Sequence, residues 1–501
     1  MKLTTAQEMR AVEEEAARYG LTSEILMETA GAAIAQAVLG RIQSRPGRVL
    51  VVAGPGQNGG DGLTAARHLL GRGCAVHVWL LADEHRLRGA ALGQFRRLSA
   101  SPEVTWSAPG ETPQGRFDAA IDAIFGTSLR GDVDGDALRA VHYLAAGIPC
   151  VVAADLPSGV VADSGAIAGA AVRADCTVAL GALKPGHVFW PGAGLCGEIV
   201  FEPLGLLPQW LAPLPVELVE SPPPAPDMPP TAAKQAFGRT IVVAGSGRYP
   251  GAAWLAARAA VRGGSGLTVL ASVSPVLAHA GALAEVIQRE LPAGADGSID
   301  PGRIGPQDVQ DATAVALGPG LGAMDERARD RWLELILALR RPLLLDADGL
   351  RAVQLRLSAL RGRSAPTVLT PHAGEAGRLL GRPVGDDAPA RLLAAREIAA
   401  ASGAVVLLKG HPTFVASPTG RVGVVAEGGP ELAVGGTGDV LSGLLAAQMA
   451  RGMSARSAAE RAALLHARAG GLLRRRGARG GLASELADLL PLAAEEAKGL
   501  A

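Results

Sequence analysis

The sequence predicts an α/β protein made of two domains, each built on a parallel sheet covered by helices. Short apolar runs such as VLVVA and CVVAA alternate with helix-like stretches along the 501 residues. Continuous hydrophobicity of this kind is typical of strands that are buried on both faces. Glycine-rich or polar turns follow most of these runs. The chain is also too long for one ordinary domain.

A proline-rich segment separates the two halves. Residues 208–230 read PQWLAPLPVELVESPPPAPDMPP. Repeated proline fixes φ and removes backbone donors, so we expect neither a helix nor a central strand to persist there. We therefore predict a first domain at residues 1–212, a linker at 213–230 and a second domain at 231–501.

Composition narrows the class of function. The 48 basic residues balance the 48 acidic ones, which gives no support for a nucleic-acid or membrane partner and favours small-molecule chemistry. The N-terminus lacks the apolar core of a signal peptide, and no apolar run reaches about 18 residues. Four widely spaced cysteines show no zinc-like spacing and fit a reducing compartment. We expect a cytoplasmic protein, and a homo-oligomer.

The first strand–turn–helix pattern suggests a bound nucleotide. Gly54, Gly56 and Gly59 fit G-x-G-x-x-G, and Asp83 ends the next apolar run at about the distance of a ribose-binding acid. An NAD-dependent dehydrogenase is therefore one reading. The additional polar residues of the turn, in the letters GPGQNGGDG, argue against an ordinary dinucleotide fingerprint.

Polar side chains follow three apolar runs of the first half. These strand ends carry Asn58 and Asp61, then Asp122, then Asp155 and Ser158. Glycine amides can bind phosphate, while amide, carboxylate and hydroxyl oxygens suit a hard cation. Asp61 is equally consistent with a helix cap and Asp122 with a turn. An acid that ends an apolar strand has few structural reasons to be there, so Asp155 is our candidate acid or base.

The second half has a comparable set of motifs. In GGTGDVLSG, a glycine turn precedes an apolar helix, and Asp439 at its start can take a proton from an attacking hydroxyl. Lys409 ends an apolar strand, where its amine can meet a phosphate. No Lys-Ser/Thr follows the glycines, so this is not a Walker A loop. His372 is as consistent with a helix cap as with a ligand.

The motifs of the first half, GPGQNGGDG, DAIFGTSLRG, DLPSG and LKPGH, resemble the NAD(P)HX epimerase family. The resemblance implies a Rossmann-like three-layer fold, interconversion of the R and S epimers of hydrated NADH or NADPH, and a bound K⁺. It implies K⁺ ligands at Asn58, Asp122 and Ser158. By the same resemblance, the hydrated nucleotide would contact Gln57, Asn58, Gly59, Gly60, Asp61, Gly126, Thr127, Ser128, Leu129, Arg130, Gly131, Asp132 and Asp155.

The motifs of the second half, YPGAAWLAARAAVRGGSGL, GPGLG, LTPHAGE, KGHPT and GGTGDVLSG, resemble the ADP-dependent NAD(P)HX dehydratase family, which has a ribokinase-like α/β fold. The resemblance implies phosphorylation of the C6 hydroxyl by ADP with Mg²⁺, and then loss of phosphate. It implies that Asp439 is the base. The hydrated nucleotide would contact Ala253, Gly320, His372 and Asp439, and the adenine nucleotide would contact Lys409, Gly410, His411, Pro412, Thr413 and Gly438.

Together the two resemblances imply one repair enzyme for hydrated nicotinamide nucleotides. An epimerase converts the isomer that a selective dehydratase leaves behind. The main alternative is a ribokinase-like vitamin kinase with a nucleotide-sensing domain attached, since such a kinase would use Asp439 equally well.

Overall fold

The computed structural model describes residues 1–43, 46–278, 283–477 and 480–497. The chain divides into two compact units, Met1–Val216 and Glu217–Ala501. Among the described residues, no helix combines the length and the apolarity needed to cross a bilayer.

The described residues of the first unit form seven strands and seven α-helices. Its strands are β1 (Arg48–Ala53), β2 (Ala75–Leu80), β3 (Thr105–Ser107), β4 (Ala119–Ala123), β5 (Val151–Ala154), β6 (Cys176–Leu180) and β7 (Glu198–Glu202). Its helices are α1 (Ala6–Arg18), α2 (Ser23–Arg41), α3 (Gln57–Leu70), α4 (Gly89–Ser99), α5 (Gly135–Ala145), α6 (Pro185–Val188) and α7 (Pro208–Leu211).

These strands form one parallel sheet in the order β3-β2-β1-β4-β5-β6-β7. Alternate residues of β1 enter different cores: Val49 and Val51 pack in the cluster that contains α2 and α3, whereas Leu50 and Val52 pack in the cluster that contains α5. The sheet is thus covered on both faces, as a three-layer fold requires. The chain reverses its direction of strand addition between β1 and β4, and ligands of such sheets bind at that switch point.

The second unit contains a larger sheet. Its strands are β8 (Val216–Leu218), β9 (Arg239–Val243), β10 (Leu267–Ser272), β11 (Val286–Glu290), β12 (Ala314–Leu317), β13 (Leu343–Leu345), β14 (Thr367–Leu369), β15 (Val405–Leu408), β16 (Thr413–Ala416) and β17 (Val422–Val425). Its helices are α8 (Pro250–Arg262), α9 (Ser274–Ala278), α10 (Glu326–Ala338), α11 (Ala373–Leu380), α12 (Ala388–Ser402), α13 (Thr437–Ala450), α14 (Ala455–Arg475) and α15 (Ala483–Glu496).

The order of this sheet is β11-β10-β9-β12-β13-β14-β15-β16-β17-β8. Strands β9 to β15 pair in parallel, whereas β16 and β17 pair antiparallel. Only residues 409–412 connect β15 to β16, and so short a connection permits only a hairpin. The switch point of this unit lies between β9 and β12. The predicted fold class, two α/β domains on mainly parallel sheets, is confirmed.

The proline-rich segment holds more regular structure than the sequence predicted. Helix α7 forms one turn with Pro208 at its first position, where a missing N–H costs nothing. Strand β8 uses the proline-free letters VEL as an edge strand. The sequence reasoning excluded helices too broadly here, because proline is compatible with a first helical turn.

Candidate active sites

Two glycines at the first switch point allow the backbone to pack closely. A β carbon at Gly54 would lie 2.1 Å from the carbonyl oxygen of Ile124, and one at Gly59 would lie 1.9 Å from the carbonyl oxygen of Gly54. Helix α3 begins at Gln57, directly after this turn. The motif therefore places the free N–H groups of a helix N-terminus at the carboxyl end of β1.

A cavity of about 390 Å³ lies at this switch point. Seven of the predicted substrate residues line it: Gln57, Asn58, Asp61, Gly126, Thr127, Ser128 and Asp155. Apolar side chains, including Met9, Leu26 and Met27, form another part of the wall. A cavity with an apolar wall and a few charged groups is typical of a site for a small molecule.

The other six predicted substrate residues are not among the described residues that line this cavity. Gly59 and Gly60 are buried within α3. Leu129 packs in the core on the α5 side of the sheet, and the Arg130 side chain donates a hydrogen bond to the Leu129 carbonyl. Gly131 and Asp132 follow in the same loop. Of the predicted range 126–132, only the first three residues, Gly126, Thr127 and Ser128, therefore line the cavity.

Asp155 lies at the centre of a buried polar network. It directly follows β5 and has a φ of 64°. Its Oδ1 lies 2.5 Å from the amine of Lys184 and 3.2 Å from the backbone nitrogen of Leu180. The Lys184 amine also donates to the Leu180 carbonyl oxygen at 2.6 Å. This lysine is only 1% exposed, so its charge is balanced by Asp155 inside the protein.

Two further acids share this cavity with Asp155. Burial, followed by the negative charges of Asp155 and Glu13, holds the pKa of Asp61 well above its ordinary value. Burial also raises the pKa of Glu13, although Lys184 acts in the opposite direction. Closely placed carboxyl groups do not all ionise together. The cavity can therefore hold both a proton donor and a carboxylate base.

Of the three residues predicted to hold K⁺, Asp122 and Ser158 contact each other, and Asn58 lines the cavity beside Gly126. Ser158 donates from its Oγ to Asp122 Oδ1 at 2.5 Å and from its backbone nitrogen to Asp122 Oδ2 at 2.7 Å. Burial raises the pKa of Asp122 to about 6, against those hydrogen bonds. Within the described part of the chain, the Asn58 Nδ2 atom is buried without a partner. The groups are those that a hard cation prefers, namely carboxylate, hydroxyl and amide oxygens.

Sequence reasoning missed Lys184, His187 and Glu13 as parts of this site. LKPGH contributes to the family resemblance, but the sequence alone indicates no role for its lysine and histidine. The available signal was the scarcity of lysine in the chain, which has five. Glu13 lies on α1, which is distant in sequence from every strand end, and nothing local marks it.

In the second unit, glycines form the turn after β12. Gly318 has a φ of +138°, and a β carbon there would lie 1.8 Å from the Asp346 carbonyl oxygen. The predicted substrate residue Gly320 lies beside Tyr249 and Ala252, at the start of α8. Ala253 is fully buried in α8. These loops lie at the switch point between β9 and β12, which is where ligands of such sheets generally bind.

Asp346, which sequence reasoning assigned no role, connects four elements of this site. It directly follows β13 and is only 2% exposed. Its carboxylate accepts hydrogen bonds from the Lys409 amine at 2.8 Å, Thr370 Oγ1 at 2.7 Å and Ser442 Oγ at 2.5 Å. The available signal was the run LLLDAD, in which an acid ends an apolar strand, as in VVAAD.

Lys409 and Asp439 lie in one electrostatic network. Burial disfavours the charged amine, but Asp346 and Glu375 together hold the pKa of Lys409 above its ordinary value. Burial, followed by the negative charge of Asp346, raises the pKa of Asp439 to about 7, with Lys409 acting in the opposite direction. A β carbon on Gly438 would lie 3.7 Å from the Lys409 amine. The arrangement thus brings a base and a cation to the N-terminus of α13.

Four of the six predicted adenine-nucleotide residues, 409–412, form the hairpin loop between β15 and β16, whereas Gly438 lies in the first turn of α13. The guanidinium of Arg391 donates hydrogen bonds to the Pro412 and His411 carbonyl oxygens at 2.7 and 2.5 Å. Gly410 has a φ of +147°, and any β carbon there would meet that guanidinium. Thr413 begins β16. The buried arginine therefore holds the shape of the loop.

His372 is the N-cap of α11. Its Nδ1 accepts a hydrogen bond from the Gly374 backbone nitrogen at 3.0 Å, and its side chain is 54% exposed. Its backbone pairs with Lys409 in an isolated parallel bridge. The residue is thus a helix cap that lies next to the Lys409 loop.

A cavity of about 340 Å³ in the second unit lies away from all of these residues. It is lined by Arg361 and Arg363, near the amino end of β14. Both guanidiniums donate to backbone carbonyls, Arg363 to Leu339 and Arg361 to Ala401. The two arginines thus donate to carbonyl groups that lack a partner within the helix at the C-termini of α10 and α12. This capping role accounts for their presence at the cavity.

The folds and sites define an enzyme with two α/β domains, each with charged residues at the switch point of its sheet. A family described as NAD(P)H-hydrate dehydratase matches residues 240–492, and one described as YjeF-related protein N-terminus matches residues 23–186.

Curated relatives align along almost the whole chain. The bifunctional NAD(P)H-hydrate repair enzyme Nnr of Thermofilum pendens is 36% identical over 98% of this chain and 96% of its own. The enzyme of the same name from Mycobacterium tuberculosis is 39% identical over 88% of this chain and 85% of its own. The chain belongs to the family of bifunctional NAD(P)H-hydrate repair enzymes, and the resemblance predicted from its motifs is confirmed.

Among solved structures, the ADP/ATP-dependent NAD(P)H-hydrate dehydratase of Bacillus subtilis, co-crystallised with ATP and Mg²⁺, is 29% identical. It covers 54% of this chain and 94% of its own, with a TM-score of 0.47.

Proposed function

We propose that the first unit interconverts the R and S epimers of hydrated NADH and NADPH, and that the second unit dehydrates the S epimer with ADP as the phosphoryl donor. The observation that carries the proposal is that a single chain of this family holds two switch-point sites, each with a lysine–aspartate ion pair in which the aspartate is buried. These pairs are Lys184 with Asp155 and Lys409 with Asp346.

In the first unit, Asp155 is the proposed acid or base. The hydrated ring carries a hydroxyl at C6, next to the ring nitrogen. Inversion there proceeds through loss and return of water or through ring opening, and either route needs proton transfer. The Lys184 amine balances the charge of the Asp155 carboxylate at 2.5 Å. The raised pKa of Asp61 favours the protonated form of this second carboxyl group, which can then donate a proton.

In the second unit, Asp439 is the proposed base. It takes the proton of the C6 hydroxyl while the oxygen attacks the terminal phosphorus of ADP, and AMP leaves. The ring nitrogen then expels phosphate from C6, a proton leaves C5, and NADH or NADPH results. Lys409 and the N-terminal amides of α13 stabilise the transferring phosphoryl group.

Two cations complete the proposal. We assign K⁺ to the oxygen atoms of Asn58, Asp122 and Ser158. Among the described residues, the hydrogen-bond donors to the buried Asp122 belong to Ser158 and Ile124 and are all uncharged, so a cation would compensate the charge of Asp122. Mg²⁺ would be held mainly by the phosphates of the nucleotide and would neutralise their charge. Among the described residues, no cluster of three or more His, Cys, Asp or Glu marks a metal site.

The test is the recovery of absorbance at 340 nm from a mixed-epimer preparation of hydrated NADH, with and without ADP and Mg²⁺. Full ADP-dependent recovery supports both activities. Recovery that stops when the S epimer is exhausted would support the dehydratase activity alone and would rule out an active epimerase. If no NADH absorbance is recovered with either ADP or ATP, a vitamin kinase becomes the better assignment.

A variant separates this proposal from an NAD-dependent dehydrogenase. Asp83 is exposed after β2. The repair enzyme should keep its activity in Asp83→Ala, whereas a dehydrogenase that binds ribose through this acid should lose it. Separated units distinguish a catalytic first unit from a nucleotide sensor, because a sensor does not equilibrate epimers.

We also propose a cytoplasmic location and self-association. The four cysteines are free in the structure, which is in line with a reducing compartment. Light scattering on the purified protein would test the expected homo-oligomer.

A further inference from the structure

The LKPGH motif folds into a buried turn directly beside Asp155. Lys184 precedes the four-residue helix α6, and His187 lies within it. Both side chains are almost completely buried, with exposures of 1% and 3%. His187 is not among the described residues that line the cavity, whereas Lys184 and Asp155 are.

The contacts of His187 define its tautomer. Its Nδ1 accepts a hydrogen bond from the backbone N–H of Lys184 at 2.9 Å. Its Nε2 lies 2.5 Å from the carbonyl oxygen of Asp155, which can only accept. The ring proton must therefore be on Nε2. Burial lowers the pKa of His187 to about 4, so the ring is neutral near neutral pH and both contacts persist.

The residue that His187 contacts has an unfavourable backbone conformation. Asp155 has a φ of 64°, in the left-handed region that costs a residue with a β carbon energy. The surrounding contacts hold it there. Its backbone N–H donates to Val178 at 2.9 Å, and its carbonyl accepts from His187. Lys184 and Leu180 hold its side chain.

We infer that His187 is a positioning residue for epimerisation: its Nε2–H holds the carbonyl of Asp155 and thereby fixes the direction in which the Asp155 carboxylate meets the substrate. The inference rests on the proposed function of the first unit. Lys184 and His187 of one motif thus act on the same residue, the lysine through the carboxylate and the histidine through the backbone.

Two neutral substitutions separate the donor contact from the acceptor contact. In His187→Gln, the side-chain amide nitrogen can take the place of Nε2 and donate to Asp155. In His187→Asn, the amide oxygen can take the place of Nδ1 and accept from Lys184, but no donor reaches Asp155. Neither substitution changes the charge of the site, because the native ring is neutral.

The assay measures epimerisation by the full-length protein, with dehydration of the pure S epimer as an internal control. We expect His187→Asn to lower kcat for epimerisation at least tenfold, with KM within about twofold, since misdirection of a catalytic group affects the rate more than binding. We expect His187→Gln to retain most of the rate. Dehydration of the S epimer should be unchanged in both variants.

Epimerisation by His187→Asn at the wild-type rate would overturn the inference. An equal loss in both variants, or a loss that appears only in KM, would also overturn it, because it would indicate a packing role. Failure of the wild-type protein itself to epimerise would instead refute the proposed function. Thermal unfolding of each variant shows whether the first unit is folded at the assay temperature.

Discussion

Replacing Asp346 with asparagine should move the acidic limb of the dehydratase pH profile to lower pH. The proposed chemistry requires the Asp439 carboxylate, whose pKa of about 7 reflects burial first and the negative charge of Asp346 second. The wild-type rate should therefore fall as pH drops through about 7, to about a tenth of its maximum one pH unit below that midpoint.

The size of the shift follows from the charges around Asp439. Asparagine removes the negative charge that opposes ionisation, and it leaves the Lys409 amine, now without its partner at 2.8 Å, free to favour the carboxylate. Two unit charges at a separation of several ångströms and an effective dielectric constant of about 20 interact by roughly 1–4 kcal/mol. Because about 1.4 kcal/mol corresponds to one pH unit, the midpoint should fall by about 0.7–3 pH units.

The same substitution should destabilise the second unit. Removal of one partner of a buried ion pair typically costs about 3–5 kcal/mol. Glu375 remains 3.7 Å from the Lys409 amine. Thr370 and Ser442 donate to different oxygens of Asp346, so the single amide oxygen of asparagine can still accept one of these two hydrogen bonds. We therefore expect a loss near the lower limit, about 3 kcal/mol, in denaturant unfolding.

The assay is the initial rate of NADH formation from the S epimer at saturating ADP across the neutral pH range. Asp311→Asn is the matched control. Asp311 is also ion-paired, but it precedes β12 and therefore lies at the amino ends of the strands, whereas Asp346 lies at their carboxyl ends. The midpoint of this control should equal that of the wild type. A midpoint that stays the same or rises in Asp346→Asn, or a wild-type profile without an acidic limb near neutrality, would refute this account of Asp439.

Three further predictions test other parts of the structure. Asp155→Asn should lower the epimerisation rate at least about a hundredfold and leave S-epimer dehydration intact, because asparagine tolerates a positive φ but cannot transfer the proton. The measurement is the fraction of a mixed-epimer preparation that remains unrepaired. Lys409→Met should raise the KM for ADP more than that for the hydrated nucleotide; an unchanged KM for ADP would argue against a phosphate contact. Gly443→Ala should destabilise the second unit by about 1–3 kcal/mol in denaturant unfolding, because its β carbon would lie 1.9 Å from the Ala256 carbonyl oxygen. Gly471→Ala, also within a helix but with no atom within 4 Å of the added carbon, should be neutral or stabilising by up to about 1 kcal/mol.

Local sequence was sufficient to predict the fold class and the ends of strands at which polar residues gather. Continuous apolar runs reveal buried parallel strands, and the glycine turns after β1 and β12 are recognisable because close backbone contacts exclude side chains. Asp155 stands out because it is an acid that ends an apolar strand and has little local structural need to be there. Asp439 stands out because it lies beside a glycine turn whose free amides can bind an anion at the start of a helix.

Only the tertiary structure decided which groups meet at these sites. Asp155 contacts Lys184 and His187, which lie 29 and 32 residues away in the chain. Asp346 contacts Lys409 and Ser442, at separations of 63 and 96 residues. Such contacts depend on the order of strands in the sheet and on the packing of helices against it, neither of which leaves a local pattern in the sequence. For that reason the apolar runs predicted where the strand ends would be, whereas the partners and the shifted pKa values of the acids there emerged only from the folded chain.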